Sequence, residues 1–351
     1  MAQAATAQKP ECLYQLLDRK LEEPQKLMPL GYHNFNKGRL VSLDVTSTTL
    51  NLGVCALKTP DPQNQWQPPI VLWSANQPEQ EIGLQDHFTG ATRCRFFTPY
   101  APRLVTTHEH NDGVQIWDGA SGQRVHHLQG HLDTVTDLDF VDENHIITAS
   151  MDNSVKYWDC KVGKEIASFI HTDMTVGRLR LVRFDSVLEP QPIGYQREEL
   201  FVYGSDWNRL KGFTLIDNIK CFDCQCDGQP VCIAQLPGHN QLVCVTQNGL
   251  MFQFDMRMNA IVMGTEMIEM YSTSMHGSAP RPMALLYSHS GFYTAFSNGL
   301  VAYRRGYTIL PDVWLLGSDY AVTDLATDGI ALYSCSYDGA IRRYAILPNV
   351  L

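Results

Sequence analysis

Four short apolar runs follow one another between residues 135 and 170: VTDLDF (135–140), HIITAS (145–150), SVKYWD (154–159) and EIASFI (165–170). Each is rich in β-branched and aromatic residues, and each is bounded by Asp, Asn or Gly. The pattern predicts four consecutive strands joined by tight turns. It returns elsewhere. PVCIAQL…LVCVTQNGLMFQFD sets Val231 and Asn248 at the spacing of Val135 and Asp152. GSDYAVTDL (317–325) matches GHLDTVTDL (130–138), with Ser318 in place of His131. The same unit continues as SCSYDGAIRRY, so Ser336, Asp338 and Tyr344 match Ser150, Asp152 and Trp158.

An aromatic residue closes one apolar run in each unit: Trp73, Trp117, Trp158, Phe213, Phe254, Tyr303 and Tyr344. Successive gaps are 44, 41, 55, 41, 49 and 41 residues. The recurring 41 suits a repeat of about 40–45 residues, the length of a four-stranded propeller blade. The two long gaps hold polar, Pro-bearing insertions, FDSVLEPQPIGYQREE (184–199) and MIEMYSTSMHGSAPRP (267–282). With Gly130-His131 ahead of it, SMDNSVKYWD resembles the WD-repeat family of β-propellers. GVQIWD (113–118) and the unit ending at Tyr344 are good matches, and the remaining units are degenerate.

The resemblance implies an all-β fold over residues 25–351: a seven-bladed β-propeller of four-stranded antiparallel blades, its ring closed by an N-terminal strand. The last unit runs out at AILPNVL without an outer strand, and KLMPLGYH (26–33) reads as the donor. Closure of this kind removes an exposed sheet edge. Residues 1–24 read as an N-terminal extension. Within it, ECLYQLLDRKLEE (11–23) carries Leu13, Leu17 and Leu21 at the spacing of a short amphipathic helix.

Ser, His and Asp in one repeat raise the question of a catalytic triad. The family resemblance answers it differently. It implies a buried hydrogen-bonded chain, His131–Ser150–Asp152–Trp158, in which an indole N–H, a hydroxyl and an imidazole find partners. A chain packed between strands lacks the open cleft and oxyanion site that acyl transfer needs. Fragments recur as Asn111 in the second unit and as Asn248 and Phe254 in the fifth, and Gly238-His239 falls at a different place in its unit. No catalytic residues and no cofactor are assigned.

Charge and cysteine content narrow the partners. The formal net charge is −10, from 27 Lys+Arg against 37 Asp+Glu. An acidic balance repels phosphate backbones, so direct nucleic-acid binding is not expected. There is no 18-residue apolar run to span a bilayer. MAQAATAQKPEC lacks the apolar core of a secretory signal, so the ten cysteines read as reduced thiols in cytoplasm or nucleus.

Several local clusters invite a chemical reading. Cys221, Cys224 and Cys226 in CFDCQC stand near metal-ligand spacing, but a strand divides them between two faces, and structural thiols are the expectation with no metal. HEH (108–110) and HH (126–127) read as strand and turn residues. YRRG (303–306) resembles the Arg-Arg-Gly signature of phosphoinositide-binding propellers, in which Arg304 and Arg305 would chelate a lipid phosphate. An acidic chain is a poor surround for that role. RLRLVR (178–183) and IRRY (341–344) read as alternating strands with arginines toward solvent. WDCK (158–161) and FDMR (254–257) partly match a W-D-x-R pattern of ubiquitin-ligase substrate receptors.

A rigid ring carries its function on loops. The turns between second and third strands, and those joining units, share one face. That face is the expected contact site, through Trp66 in TPDPQNQWQPP, Trp207 in GSDWNRL, and Met267, Met270 and Tyr271 in EMIEMYSTSMHG. Aromatic and Met side chains suit protein interfaces. The expected function is a non-enzymatic scaffold or adaptor subunit of a multiprotein complex. A phosphoinositide-binding propeller and a ubiquitin-ligase substrate receptor are the alternatives.

Overall fold

The computed structural model describes residues 25–34, 39–46, 52–57, 70–74, 77–84, 90–97, 103–110, 113–170, 176–184, 198–205, 208–236, 240–266, 280–288, 291–305 and 311–346. Its described elements are β-strands in up-and-down sheets that follow one another along the chain. The third sheet is the pattern unit: Val135–Phe140, His145–Ser150, Ser154–Asp159 and Lys164–Ile170, paired antiparallel in that order. Its second strand is buried from Ile146 to Ser150 because neighbouring sheets cover both faces. That accounts for the near-continuous apolar runs.

The expectation of seven four-stranded antiparallel blades is corrected by the sheet topology. The structure has six such blades, not seven. The remaining sheet, sixth in chain order, has five strands and is mixed. Gln25–Leu27 adds to its outer edge in parallel with Val313–Leu315. The chain then crosses to the last sheet, where Gly31–Asn34 pairs antiparallel with Ala340–Ala345. The KLMPLGYH stretch is thus shared between two sheets. A parallel neighbour was not legible in the sequence, because a three-residue strand carries no periodicity of its own.

Each innermost strand packs on the innermost strand of the next sheet, and the last packs on the first, so the sheets form a ring. Apolar clusters fill the gaps between them. Ile147, Ala149 and Val155 of the third sheet meet Leu179, Phe201, Tyr203 and Phe213 of the fourth. Leu40, Leu43, Val71 and Trp73 of the first meet Tyr333, Cys335 and Ile341 of the last. His33 on the closing strand stacks on Trp73, with ring centroids 5.0 Å apart.

A second seam runs around the channel. Near its start each innermost strand carries a register shift, as between Val135 and Asp137 or between Val322 and Asp324. Such bulges re-aim the side chains that follow. Asp137 and Asp139 accept the backbone N–H groups of Leu179 (3.1 Å) and Leu181 (2.8 Å) in the next sheet. Asp44 does the same for Phe96 at 2.7 Å, and Asp324 for Leu43 at 3.2 Å. Burial pushes the Asp44 and Asp139 carboxyls up despite these bonds. Bonds from N–H to carboxylate are charge-assisted and stronger than neutral ones, so the ring is held by polar clasps as well as apolar packing.

Candidate functional site

The third sheet shows how the repeat chemistry is used. The Trp158 indole donates to Thr148 Oγ1 at 2.8 Å, and Thr148 Oγ1 lies 2.8 Å from His131 Nε2. On the other side of the ring, His131 Nδ1 lies 2.9 Å from Asp152 Oδ2. One tautomer satisfies every group: Nδ1 carries the proton and donates to Asp152, and Nε2 accepts from the Thr148 hydroxyl. His131 needs Gly130 before it. That glycine sits at φ +154, and a Cβ there would come within 3.1 Å of Glu165 and 3.3 Å of the Trp158 ring.

The structure therefore brings His131, Asp152 and Trp158 together but corrects the link. Ser150 is not in the chain; Thr148, two residues earlier on the same face, takes its place. Ser150 Oγ instead donates to Asp133 O at 3.1 Å and accepts the Asp152 N–H at 3.1 Å, tying the turn to the loop that carries His131. Ser150 is thus bonded away from His131, the Thr148 hydroxyl that meets Nε2 is sealed beneath the Trp158 indole, and Ser154, 3.2 Å from Nδ1, donates to Asp152 at 2.6 Å.

Other sheets solve the same problem with different residues. In the second, Trp117 donates to Thr106 Oγ1 at 2.9 Å, and Thr106 Oγ1 lies 2.9 Å from His108 Nε2. That imidazole comes from the end of the second strand, so His108 of HEH is a buried member of the network. In the last sheet Arg342 donates to Ser336 at 2.7 Å and to both oxygens of Asp338. The reading of IRRY as solvent-facing is corrected for Arg342, which is buried.

Asp152 is where protonation enters stability. Burial pushes its carboxyl up, but bonds from His131, Ser154 and the Leu132 N–H outweigh that and hold it well below the usual carboxylate range. An unfolded Asp titrates near about 3.9. The stabilisation is present above that value and is lost as pH falls through the lower, folded one. Asp152→Asn is therefore expected to be less stable than wild type at pH 7, with the deficit shrinking between pH 4 and 2 as the acid limb flattens. Urea midpoints across that range check it; a deficit constant with pH would refute it.

The loops around these networks frame one mouth of the channel. The turn carrying Met151 is bonded to Thr134, and the turn carrying Tyr337 to Ala321. Thr134, Met151, Tyr337, Glu109 and His110 line a cavity of about 610 Å³ that opens there. Leu132 is 82% exposed on this rim, Tyr320 59% and Met151 49%. Trp66, Trp207, Met267, Met270 and Tyr271, the sequence candidates for this face, lie outside the described residues, as do the helix at 11–23, Asn111 and Gly238-His239.

The other candidates are placed. Arg304 is fully buried in the strand Val301–Arg304, and Arg305 forms an ion pair with Asp312 at 2.9 Å. The two do not make one exposed clamp for a lipid phosphate. Cys221 is exposed and Cys226 buried, and burial pushes the Cys226 thiol up to about 12, away from the thiolate a metal would need. Arg178 and Arg180, read as solvent-facing, instead line the channel.

A chain in a structure titled "Crystal Structure of Mitotic Checkpoint Complex" superposes with a TM-score of 0.71 at 16% identity, covering 98% of this chain and 97% of that one. The family model described as WD domain, G-beta repeat, matches residues 122–159, which hold His131, Thr148, Asp152 and Trp158. The chain carries a WD repeat on a β-propeller fold. WD repeat-containing protein 37 of Homo sapiens is 30% identical to this propeller over 118 residues, 33% of this chain and 24% of that protein. Eukaryotic translation initiation factor 3 subunit I of Homo sapiens is 39% identical over 88 residues, 24% of this chain and 26% of that protein. The likeness to this WD-repeat propeller thus spans about a quarter of each curated relative.

Proposed function

We propose that this WD-repeat propeller is a non-enzymatic scaffold that holds other proteins on the mouth bearing Leu132, Met151 and Tyr320. The observation that carries the reading is the exposure of those three apolar side chains: Met151 lines the cavity, Leu132 is bonded to Asp152 next to it, and Tyr320 precedes Ala321, which holds the Tyr337 turn. Water-exposed Tyr and Met groups match the chemistry of interface anchors. The buried repeat networks support this division of labour. Their polar groups are engaged with each other, which leaves the loops to meet partners.

The test is affinity purification from native extract with a Leu132→Asp/Tyr320→Asp variant, alongside Trp207→Ala. Both variants are expected to keep the wild-type circular dichroism spectrum. The first is expected to lose its co-purifying proteins at least tenfold, and the second to lose part of the same set. Unchanged recovery by the folded double variant would remove this face as the contact site.

A further inference from the structure

The channel has a waist. Its mouth cavity of about 610 Å³ and a deeper one of about 220 Å³ share Arg93, Arg178, Val231 and Met283 on their walls. The innermost strands of the second and fourth sheets carry the same alternation, Arg93-Cys94-Arg95 and Arg178-Leu179-Arg180, on either side of Asp137-Leu138-Asp139. Asp137 lies 3.5 Å from Arg93 Nε and 3.5 Å from Arg180 Nη1. Asp324 lies 3.4 Å from Arg93 and 3.1 Å from Arg95. Three of these four guanidiniums therefore face a carboxylate.

Arg178 differs. Its Nε donates to Val231 O at 2.8 Å and its Nη2 to Met283 O at 3.3 Å. Among the described residues no carboxylate pairs with it. The strands it reaches, Pro230–Gln235 and Pro282–Ser288, contain no Asp or Glu. A guanidinium has five N–H donors in one plane. Two carbonyls fix that plane without neutralising it, and partial burial has already removed part of its water. A charge so held is preorganised for the forked geometry of an oxyanion. Beside it Val41, Pro230, Val231, Pro282 and Met283 form an apolar wall for the stem that carries such a group.

We propose that the waist of the channel is an oxyanion site, with Arg178 as its main ligand and Arg93 beside it. The ligand is a phosphate or carboxylate group on an apolar stem, brought by a small molecule or by an acidic side chain of a partner entering at the mouth. The net charge of −10 works against anions at long range, so selectivity comes from the fork and not from steering. The site does not depend on the scaffold reading.

The probe is inorganic phosphate on the full chain, followed by phosphorus-31 line broadening at an ionic strength held constant with sodium chloride. Wild type is expected to broaden the signal saturably. Arg178→Gln is expected to weaken binding at least tenfold with an unchanged circular dichroism spectrum. In a second arm, hexaglutamate that displaces phosphate assigns a partner's carboxylates as the source. Hexaglutamate that fails to displace it assigns a small phosphate-bearing ligand. Absence of saturable broadening in wild type, or equal broadening in folded Arg178→Gln, overturns the proposal. Should that variant not fold, wild-type crystals grown with phosphate decide: an anion on Arg178 supports the site, and water alone there overturns it.

Discussion

Asp324→Ala is expected to destabilise the protein by about 3–5 kcal/mol, the loss typical of a buried ion pair stripped of one partner. Oδ2 of this carboxylate accepts from Ser42 Oγ (2.9 Å), Leu43 N (3.2 Å), Arg95 (3.1 Å) and Arg93 (3.4 Å). Burial alone would raise its pKa, but Arg95 and Arg93 together with the bonds from Leu43 N–H and Ser42 hold it below the ordinary range. The substitution takes the shared carboxylate from two guanidiniums that lie two residues apart on one strand, buried Arg93, which keeps Asp137, and half-buried Arg95. Their repulsion and desolvation, more than the lost bonds, make the effect large. Adding Arg95→Met should recover part of it, since contacting residues are not additive. Guanidinium-chloride midpoints on wild type, single and double variants check this. A single-variant loss below about 1 kcal/mol would show the hub to be ornamental to stability.

Thr148→Val should cost about 3 kcal/mol, and Ser150→Ala about 1 kcal/mol. The two are nearly isosteric tests of one question. Valine keeps the volume of Thr148 but orphans two buried groups, the Trp158 indole N–H and the His131 ring nitrogen Nε2. Alanine at 150 removes one bond to a carbonyl and one acceptor for a turn N–H. An orphaned buried polar group loses its water without replacement, so the first change outweighs the second. Thermal unfolding of both variants decides it, and a larger loss at Ser150 would return the link to that residue.

The same pair of residues shows where sequence reasoning stopped. Thr148 and Ser150 share one face of a strand with period two, and both carry hydroxyls. Only the register, Ile146 opposite Trp158, shows which lies beneath the indole. The repeat itself was plain, because apolar runs ending in aromatics and separated by turn residues survive degeneracy. The channel was not. An R-x-R alternation reads the same on a solvent-facing strand as on one lining a narrow pore. What distinguishes Arg178 is the set of carbonyls brought to it from two other sheets. Arg304 failed for the complementary reason: as the last residue of the strand Val301–Arg304 its side chain is buried, while Arg305, just past the strand end, is held by Asp312. His108 was recoverable in principle, since it stands where Ser150 stands in the third unit.

The two clasp strands at the start of the described chain impose an order on biosynthesis. Gln25–Leu27 waits for Val313–Leu315, and Gly31–Asn34 waits for Ala340–Ala345. Domains emerging from the ribosome fold from the N-terminus as partners become available. Here these strands find theirs only after all the intervening sheets have been made. Until then the nascent molecule is an open arc, with the first sheet's outward face and its Trp73 uncovered. The ring is thus closed last by two of its earliest strands, and until they dock its two ends stay apart.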